Sequence, residues 1–524
     1  MPLIQIKDLC FTYEGSYTPV FTNFSVNLDT DWRVGLVGRN GRGKTTLLKL
    51  LMRQLQGTGT ISALQRFDYF PYEVDEMQPA LVSLRNAIAP FDDWAAQMDM
   101  LLATGTQEDL QRWGELEHLF AQNGGYEMDE LLQREIEKMG IDHTLLSRPL
   151  NTFSPGERTR MKIAALFLKK EAYLLIDEPT DHLDAAGRTV LANYLNTKKS
   201  FILVSHDRWF LDAVVDHIIA LQKTGAAVIQ GNYSVYRENK ELRDAFELEE
   251  NERLLSEIDR LDESRKQKAT WSDRVEATKI GTHSGDRGRV GHLAAKAMKR
   301  SLSIQTRIER KIEERQALLH DIEYASQLLL HPLVHPAKTL MHVQDVSAAY
   351  DGHTVFEHKT FTVAQGDRIA LQGKNGGGKS TMIRLLLGEQ EPVLGNITRV
   401  GQLVFSYMPQ MVGSVYGTPF DIARENNLRL DYFLMLLRKI DFRREAFERD
   451  IASFSLGQQK KVLLAAAMAK PAHIYIWDEP LNYIDLESRE QIEDMLLQSD
   501  ATIIFVEHDQ RFTNAVATKT VVFP

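Results

Sequence analysis

The sequence predicts an α/β fold in which two tandem copies of one phosphate-binding domain are joined by a long antiparallel α-helical hairpin. Three observations predict it. The pattern G-x-x-x-x-G-K-[ST] occurs twice, at 38–45 and 373–380. Each copy is followed by an apolar segment ending in Asp-Glu-Pro, at 177–179 and 478–480. Between the copies lie two stretches without glycine or proline, 237–276 and 292–330, rich in Glu, Arg, Lys, Leu and Ala.

Taken in chain order, the first loop follows the apolar residues Val34, Leu36 and Val37 and precedes the helical pattern of Leu47, Leu48, Leu50 and Leu51. This is the strand-loop-helix setting a phosphate loop requires. Gly38, Asn40, Gly41 and Gly43 let backbone N–H groups close around phosphates, and Lys44 reaches the outer ones. Thr45, with Thr46 beside it, opens a helix whose N-terminus favours anions, and its hydroxyl is placed to ligate Mg²⁺. Gly373, Asn375, Gly376, Gly378, Lys379, Ser380 and Thr381 repeat the arrangement. The chemistry implied is ATP binding with Mg²⁺.

The apolar segments Leu174-Leu175-Ile176 and Ile474-Tyr475-Ile476-Trp477 read as buried strands that deliver two carboxylates at their C-terminal ends, where α/β sheets place ligands. Asp177 and Asp478 would hold the Mg²⁺. Glu178 and Glu479 would polarise the attacking water. Helix-capping carboxylates after a buried strand are the structural alternative.

Aligning the motifs exposes a duplication, with Ser154 and Ser455, and Glu178 and Glu479, both offset by 301. From phosphate-loop lysine to the serine is 110 residues in the first copy and 76 in the second. The surplus is placed at about 92–140, where Leu101, Leu110, Trp113, Leu116, Leu119 and Phe120 show helical spacing. It is either a docking arm or an elaborated helical subdomain. The predicted boundaries are 1–236 for the first domain, 237–338 for the linker and 339–524 for the second domain.

Each glycine-free stretch has about 40 residues, and such a helix spans roughly 60 Å. Apolar seams run through Leu248, Leu254, Leu255, Ile258 and Leu261, and through Ile304, Ile308, Ile312, Leu318 and Ile322. The break at about 278–292 holds four glycines and is longer than a helix-helix turn demands. Around it, residues 264–311 carry 13 Lys or Arg against 4 Asp or Glu, although the whole chain has net charge −10. Lys279, Arg287, Arg289, Lys296, Lys299 and Arg300 are therefore candidates for nucleic-acid phosphate contacts. A solvated helix surface is the plainer reading of the same charges.

Composition bounds the rest. A chain of 524 residues with 43% hydrophobic and 26% charged content can build several globular cores. Cys10 is the one cysteine, which excludes an intramolecular disulfide framework and fits a reducing compartment. No apolar run reaches the length of a membrane span, and the first residues have no signal-peptide character. A cytoplasmic location is expected, with no membrane contact.

Phe153-Ser154-Pro155-Gly156-Glu157 and Phe454-Ser455-Leu456-Gly457-Gln458 each lie 23 residues, serine to aspartate, before Asp177 and Asp478. Alone each is a plausible helix N-cap. With the other motifs they resemble the L-S-G-G-Q signature of ATP-binding cassette (ABC) proteins, altered most visibly at Pro155 and Leu456. The resemblance implies that Ser154, Gly156, Ser455 and Gly457 contact γ-phosphates across a cassette pair. It also makes His206 and His508 switch histidines, and Tyr13 and Tyr350 the rings that stack on adenine, though either tyrosine could be an ordinary strand aromatic. The family's glutamine, which senses Mg²⁺ and water, is present as Gln410. Its counterpart in the first copy is Tyr72, which puts hydrolysis at that site in doubt.

Tandem cassettes, the absence of a membrane segment and the two-helix linker together resemble the ABC-F translation factors over essentially the whole chain. The tip sequence Asp286-Arg287-Gly288-Arg289-Val290-Gly291-His292 is similar to the Lsa-type branch. What the resemblance implies is a monomer with an intramolecular cassette pair that hydrolyses ATP on the bacterial 70S ribosome. The linker would enter the exit site, meet P-site tRNA and 23S rRNA, and protect the peptidyl-transferase centre from lincosamide, streptogramin A and pleuromutilin antibiotics. With Pro524 soon after the final strand, the basic C-terminal extension of some relatives is expected to be lacking. A housekeeping translation factor, a transporter ATPase subunit and a DNA-repair ATPase are the alternatives. The transporter would need a membrane partner, and the DNA-repair ATPase would be expected to carry longer coils or zinc sites.

Overall fold

The computed structural model describes residues 3–15, 19–181, 183–222, 225–277, 307, 310, 328–350, 353–374, 376–410, 416–440, 442 and 444–524. Strands β1 (Leu3–Phe11) and β2 (Phe21–Asp29) open the first cassette. Ile4 and Ile6 are buried, the register shifts at Asp8 (φ +48°), and the extra residue returns Leu9 and Phe11 to the same buried face. β3 (Arg33–Val37) leads through the phosphate loop into α1 (Lys44–Leu51), and β4 (Thr58–Ser62) completes an antiparallel sheet of order β2-β1-β4.

The helical stretch follows β5 (Arg66–Phe70). It comprises α2 (Ala80–Ile88), α3 (Phe91–Thr104), α4 (Gln107–Gln122), α5 (Met128–Lys138) and α6 (Pro155–Leu166). The surplus expected at 92–140 consists of helices α3 and α4, since α2, α5 and α6 each recur in the second cassette. Edge-to-face contacts of Phe91 with Trp94 and Phe120, and of Phe120 with Tyr126, hold α3 and α4 together. Glu135 anchors α5 by accepting from Tyr194 (2.7 Å), Lys198 (2.6 Å) and Lys138 (2.6 Å).

The chain then forms β6 (Ala172–Asp177), α7 (Ala185–Asn196), β7 (Phe201–Val204), α8 (Arg208–Val214), β8 (His217–Leu221) and β9 (Ala226–Gln230). The six-stranded sheet has order β5-β6-β7-β3-β8-β9 and is parallel except at β8–β9. Its inner strands are nearly continuous apolar runs because both faces are covered.

Helix α9 (Tyr233–Ala277) starts four residues before the stretch expected from 237. Asp212 accounts for this, since its carboxylate accepts the Ser234 N–H (2.7 Å) and hydroxyl (2.6 Å). The tip at 278–292 lies outside the described residues, as does most of the second linker stretch. At the end of that stretch, Leu328 and Leu330 are not helical. They are buried in the second cassette's core beside Phe433 and Leu436, so the helix read from composition as far as 330 does not include 328–330. By its contacts the chain divides into two compact units, Met1–Ser234 with Ala325–Pro524, and Val235–Tyr324.

The second cassette repeats the plan with β10 (Thr339–Tyr350), β11 (His353–Ala364), β12 (Arg368–Gln372), α10 (Lys379–Leu387), β13 (Leu394–Arg399) and β14 (Phe405–Met408). After these come α11 (Pro419–Glu425), α12 (Leu430–Lys439), α13 (Leu456–Ala469), β15 (Ile474–Asp478), α14 (Leu486–Gln498), β16 (Ile503–Val506), α15 (Gln510–Val516) and β17 (Lys519–Val522). Sheet orders are β11-β10-β13 and β14-β15-β16-β12-β17. Both parallel sheets therefore present their carboxylate strands, β6 and β15, next to the histidine strands, β7 and β16.

Candidate nucleotide sites

Both phosphate loops close on themselves. Lys44 Nζ donates to the Gly38 carbonyl (2.6 Å) and Lys379 Nζ to the Gly373 carbonyl (2.8 Å). Gly43 (φ +92°) and Gly378 (φ +91°) start the following helices from left-handed backbone, and a Cβ at either would lie 2.6 Å from Val20 Cγ1 or Val355 Cγ1. Only glycine meets both demands. Gly38, Gly41, Gly373 and Gly376 also have positive φ, and Thr381 lies in the first turn of α10. Asn375 lies outside the described residues.

Thr45 Oγ1 donates to Asp177 Oδ2 (3.3 Å), and Ser380 Oγ to Asp478 Oδ2 (3.0 Å). Asp478 Oδ1 is buried without a hydrogen-bond partner. A hydroxyl beside an unsatisfied carboxylate oxygen is the donor chemistry of a hard divalent cation, so the set fits Mg²⁺. Burial pushes both aspartates above the ordinary carboxylate range.

Glu178 (φ +48°) and Glu479 (φ +51°) leave their strands in left-handed backbone, and each carboxylate meets the switch segment of its own cassette. His206 Nε2 is 3.4 Å from Glu178 Oε1, and His508 Nε2 is 3.5 Å from Glu479 Oε1. Here the two sites part. Gln410 donates to Glu479 Oε1 (2.8 Å) and Asn482 to Oε2 (2.6 Å). Burial pushes Glu479 up, but the bonds with His508 and Gln410 outweigh it and hold this carboxyl below its usual range. In the first site the Tyr72 hydroxyl turns away and donates to the Lys162 carbonyl (2.8 Å). The counterpart of Asn482 is Asp181. Burial first, then the charges of Asp181 and Asp177, raise Glu178 well above the usual range. Burial and the Lys44 charge lower His206.

Sequence reasoning found Tyr72 but missed the Asp181/Asn482 exchange, although Glu178-Pro179-Thr180-Asp181 against Glu479-Pro480-Leu481-Asn482 carries the signal. It also missed Tyr69, whose hydroxyl donates to Asp177 Oδ2 (3.0 Å).

Ser154 and Ser455 cap α6 and α13, accepting from Glu157 N (3.3 Å) and Gln458 N (3.4 Å). Proline at the first helical position is compatible with the cap, because that N–H has no helical partner. A Cβ on Gly457 would meet the Tyr483 carbonyl at 3.3 Å, and Asn40 donates to that same carbonyl (3.1 Å). The first phosphate loop and the second signature thus meet at Tyr483. Tyr13 and Tyr350 are about two-fifths exposed, and Tyr13 shares a hydrogen bond with Thr46 (2.9 Å). Lys279, Arg287, Arg289, Lys296, Lys299 and Arg300 lie outside the described residues.

The sequence profile of the ABC transporter family matches residues 21–181 and 356–482, more than half of the chain. The ribosome protection protein VmlR of Bacillus subtilis (strain 168) is 27% identical over 514 residues, covering 96% of this chain and 83% of VmlR. ATP-binding cassette sub-family F member 3 of Mus musculus is 28% identical over 512 residues, covering 94% and 67%. The chain is a member of the ABC-F family of ATP-binding cassette ATPases. Among solved structures, the archaeal ribosome recycling factor aABCE1, in complex with the ribosomal stalk protein aP1, superposes with a TM-score of 0.62. The match spans 98% of this ABC-F chain and 87% of that one at 19% identity, a likeness of fold. As an ABC-F protein the chain binds and hydrolyses ATP. Among its described residues no helix is long and apolar enough to cross a membrane.

Proposed function

We propose that this ABC-F ATPase works on the bacterial 70S ribosome in the cytoplasm and protects the peptidyl-transferase centre from lincosamide, streptogramin A and pleuromutilin antibiotics. Near full-length similarity to a ribosome protection protein is the observation that carries the reading. The glycine-punctuated basic tip of the 237–338 linker supports it, with Lys279, Arg287, Arg289, Lys296, Lys299 and Arg300 meeting 23S rRNA and P-site tRNA. Cassettes of 1–236 and 339–524 form one intramolecular pair in a monomer.

In this reading two ATP molecules lie between the cassettes, with Tyr13 and Tyr350 against the adenines. One is held by Lys44 and Thr45 opposite Ser455 and Gly457, the other by Lys379 and Ser380 opposite Ser154 and Gly156. Mg²⁺, when bound beside Asp177 or Asp478, neutralises phosphate charge. Glu479, ionised and aligned by Gln410, orients water at the second site, and His508 senses the γ-phosphate. Glu178 and His206 do the same less readily at the first. Closure on ATP holds the linker in place, and hydrolysis releases it.

The test is a reconstituted translation system challenged with a lincosamide. Intact protein should restore synthesis. A variant lacking 283–290 should hydrolyse ATP normally yet give no rescue, and should bind ribosomes with weaker salt dependence. Full rescue by the deletion variant would remove the tip from the function. No rescue by intact protein would leave a housekeeping translation factor as the better description.

A further inference from the structure

Arg188, on α7 of the first cassette, touches both switch segments. Its side chain is only 11% exposed. One nitrogen, Nη1, donates to Asp207 Oδ2 (2.7 Å) and to the main-chain carbonyl of His508 (3.0 Å), 320 residues away. Nε donates to the Leu183 carbonyl (3.2 Å), which fixes the plane of the guanidinium. Nη1 carries two N–H groups, one for each acceptor, and a planar guanidinium holds such a fork with little loss of freedom.

Both acceptors are informative. Asp207 follows His206 directly, and its other oxygen caps α8 through Phe210 N (3.0 Å). The His508 carbonyl belongs to the residue whose ring faces Glu479. One side chain of the first cassette thus bridges the main chain of one switch histidine to the carboxylate beside the other. The link runs one way. Arg489, the counterpart offset by 301, donates to the Ile484 carbonyl (2.9 Å) and lies 3.6 Å from Asp509, with no hydrogen bond to His206. Nearby, fully buried Arg208 binds Glu493 (2.5 Å) of the second cassette and lies 3.9 Å from Glu490. Arg208 thus joins the cassettes and also lies 3.8 Å from the Asp509 carboxylate after His508, but it makes no hydrogen bond to either switch histidine; only Arg188 holds the His508 main chain itself.

We propose that Arg188 is a positioning residue for His508, acting from the opposite cassette, and that through Asp207 it makes hydrolysis at the second site depend on the first. This rests on the reading that Glu479 and His508 serve hydrolysis at the second site. Without the fork the His508 main chain loses a fixed partner, and a displacement of about 1 Å in a catalytic array lowers turnover by up to about a hundredfold.

Full-length protein carrying Glu178→Gln reports the second site, and protein carrying Glu479→Gln reports the first. Adding Arg188→Met to Glu178→Gln should lower kcat at least about tenfold while KM for ATP stays within about twofold, because the Lys379 and Ser380 phosphate loop is left intact. In the Glu479→Gln background the same change should alter kcat less than about threefold. Arg188→Lys keeps the charge opposite Asp207 but not the planar fork. It should fold with unchanged Tm and recover only part of the second-site rate. Equal losses at both sites, or a loss confined to KM, would make Arg188 mere adhesion and overturn the proposal. An unchanged second-site kcat would overturn it alone. No second-site turnover with Arg188 intact would instead overturn the division of labour on which it stands.

Discussion

The two nucleotide sites share a backbone and differ in what surrounds one carboxylate. Glu479 accepts from Gln410 and Asn482 and sits below its ordinary pKa, whereas Glu178 lies among Asp177 and Asp181 and sits well above it. Deeper burial at Glu178, the Asp181 charge where the second site has Asn482, and Tyr72 where it has the Gln410 donor together reverse the electrostatics of an otherwise duplicated site. The lesson is that duplication preserves geometry more readily than charge state, and that a general base is defined by its neighbours as much as by its own carboxyl group.

The most severe change removes both sides of the comparison. Glu178→Gln with Glu479→Gln should lower ATP turnover by about a hundredfold or more and lengthen ATP-dependent retention on ribosomes, read by co-sedimentation. Near-normal hydrolysis would break the assignment. Singly, Glu479→Gln should cost most of the turnover and Glu178→Gln much less, since Glu479 is the carboxylate held ionised. Comparable losses in steady-state rate would erase the asymmetry.

The comparison can also be sharpened by conversion. In a Glu479→Gln background, Tyr72→Gln with Asp181→Asn should raise first-site turnover by roughly tenfold, about one pKa unit's worth of base ionisation. A rate that stays flat would place the defect elsewhere. The smallest expected effect is a pH shift. A base must be ionised to work, so a raised pKa makes rate fall sooner as pH drops. The acid limb of kcat should therefore lie at higher pH for the first site, measured in Glu479→Gln, than for the second, measured in Glu178→Gln. Coincident limbs would contradict the difference in environment.

Much of this was legible in the sequence because phosphate loops, carboxylate strands and signature caps are local patterns with fixed spacing. Lys44 follows β3, and Asp177 with Glu178 ends β6, each within its own short motif, so order along the chain was enough. Other features were not legible for an equally physical reason. Where the Tyr72 hydroxyl points depends on the Lys162 carbonyl 90 residues away, and Arg188 meets His508 across 320 residues. No periodicity encodes such meetings. Leu328 and Leu330 misled in the opposite sense, since a helix-forming composition gave way to burial beside Phe433 and Leu436.

The left-handed turn at each glutamate has a mechanical meaning. Glu178 N–H is tied to the last carbonyl of β7, Val204 (2.9 Å), and Glu479 N–H to that of β16, Val506 (3.0 Å). The histidine follows each of those carbonyls by two residues. A glutamate bent at a strain of about 1–3 kcal/mol and pinned to the strand that carries its histidine cannot drift from it. Each cassette therefore owns a single stiff jaw, base and histidine together, and whatever ATP opens or closes must happen between jaws rather than within one.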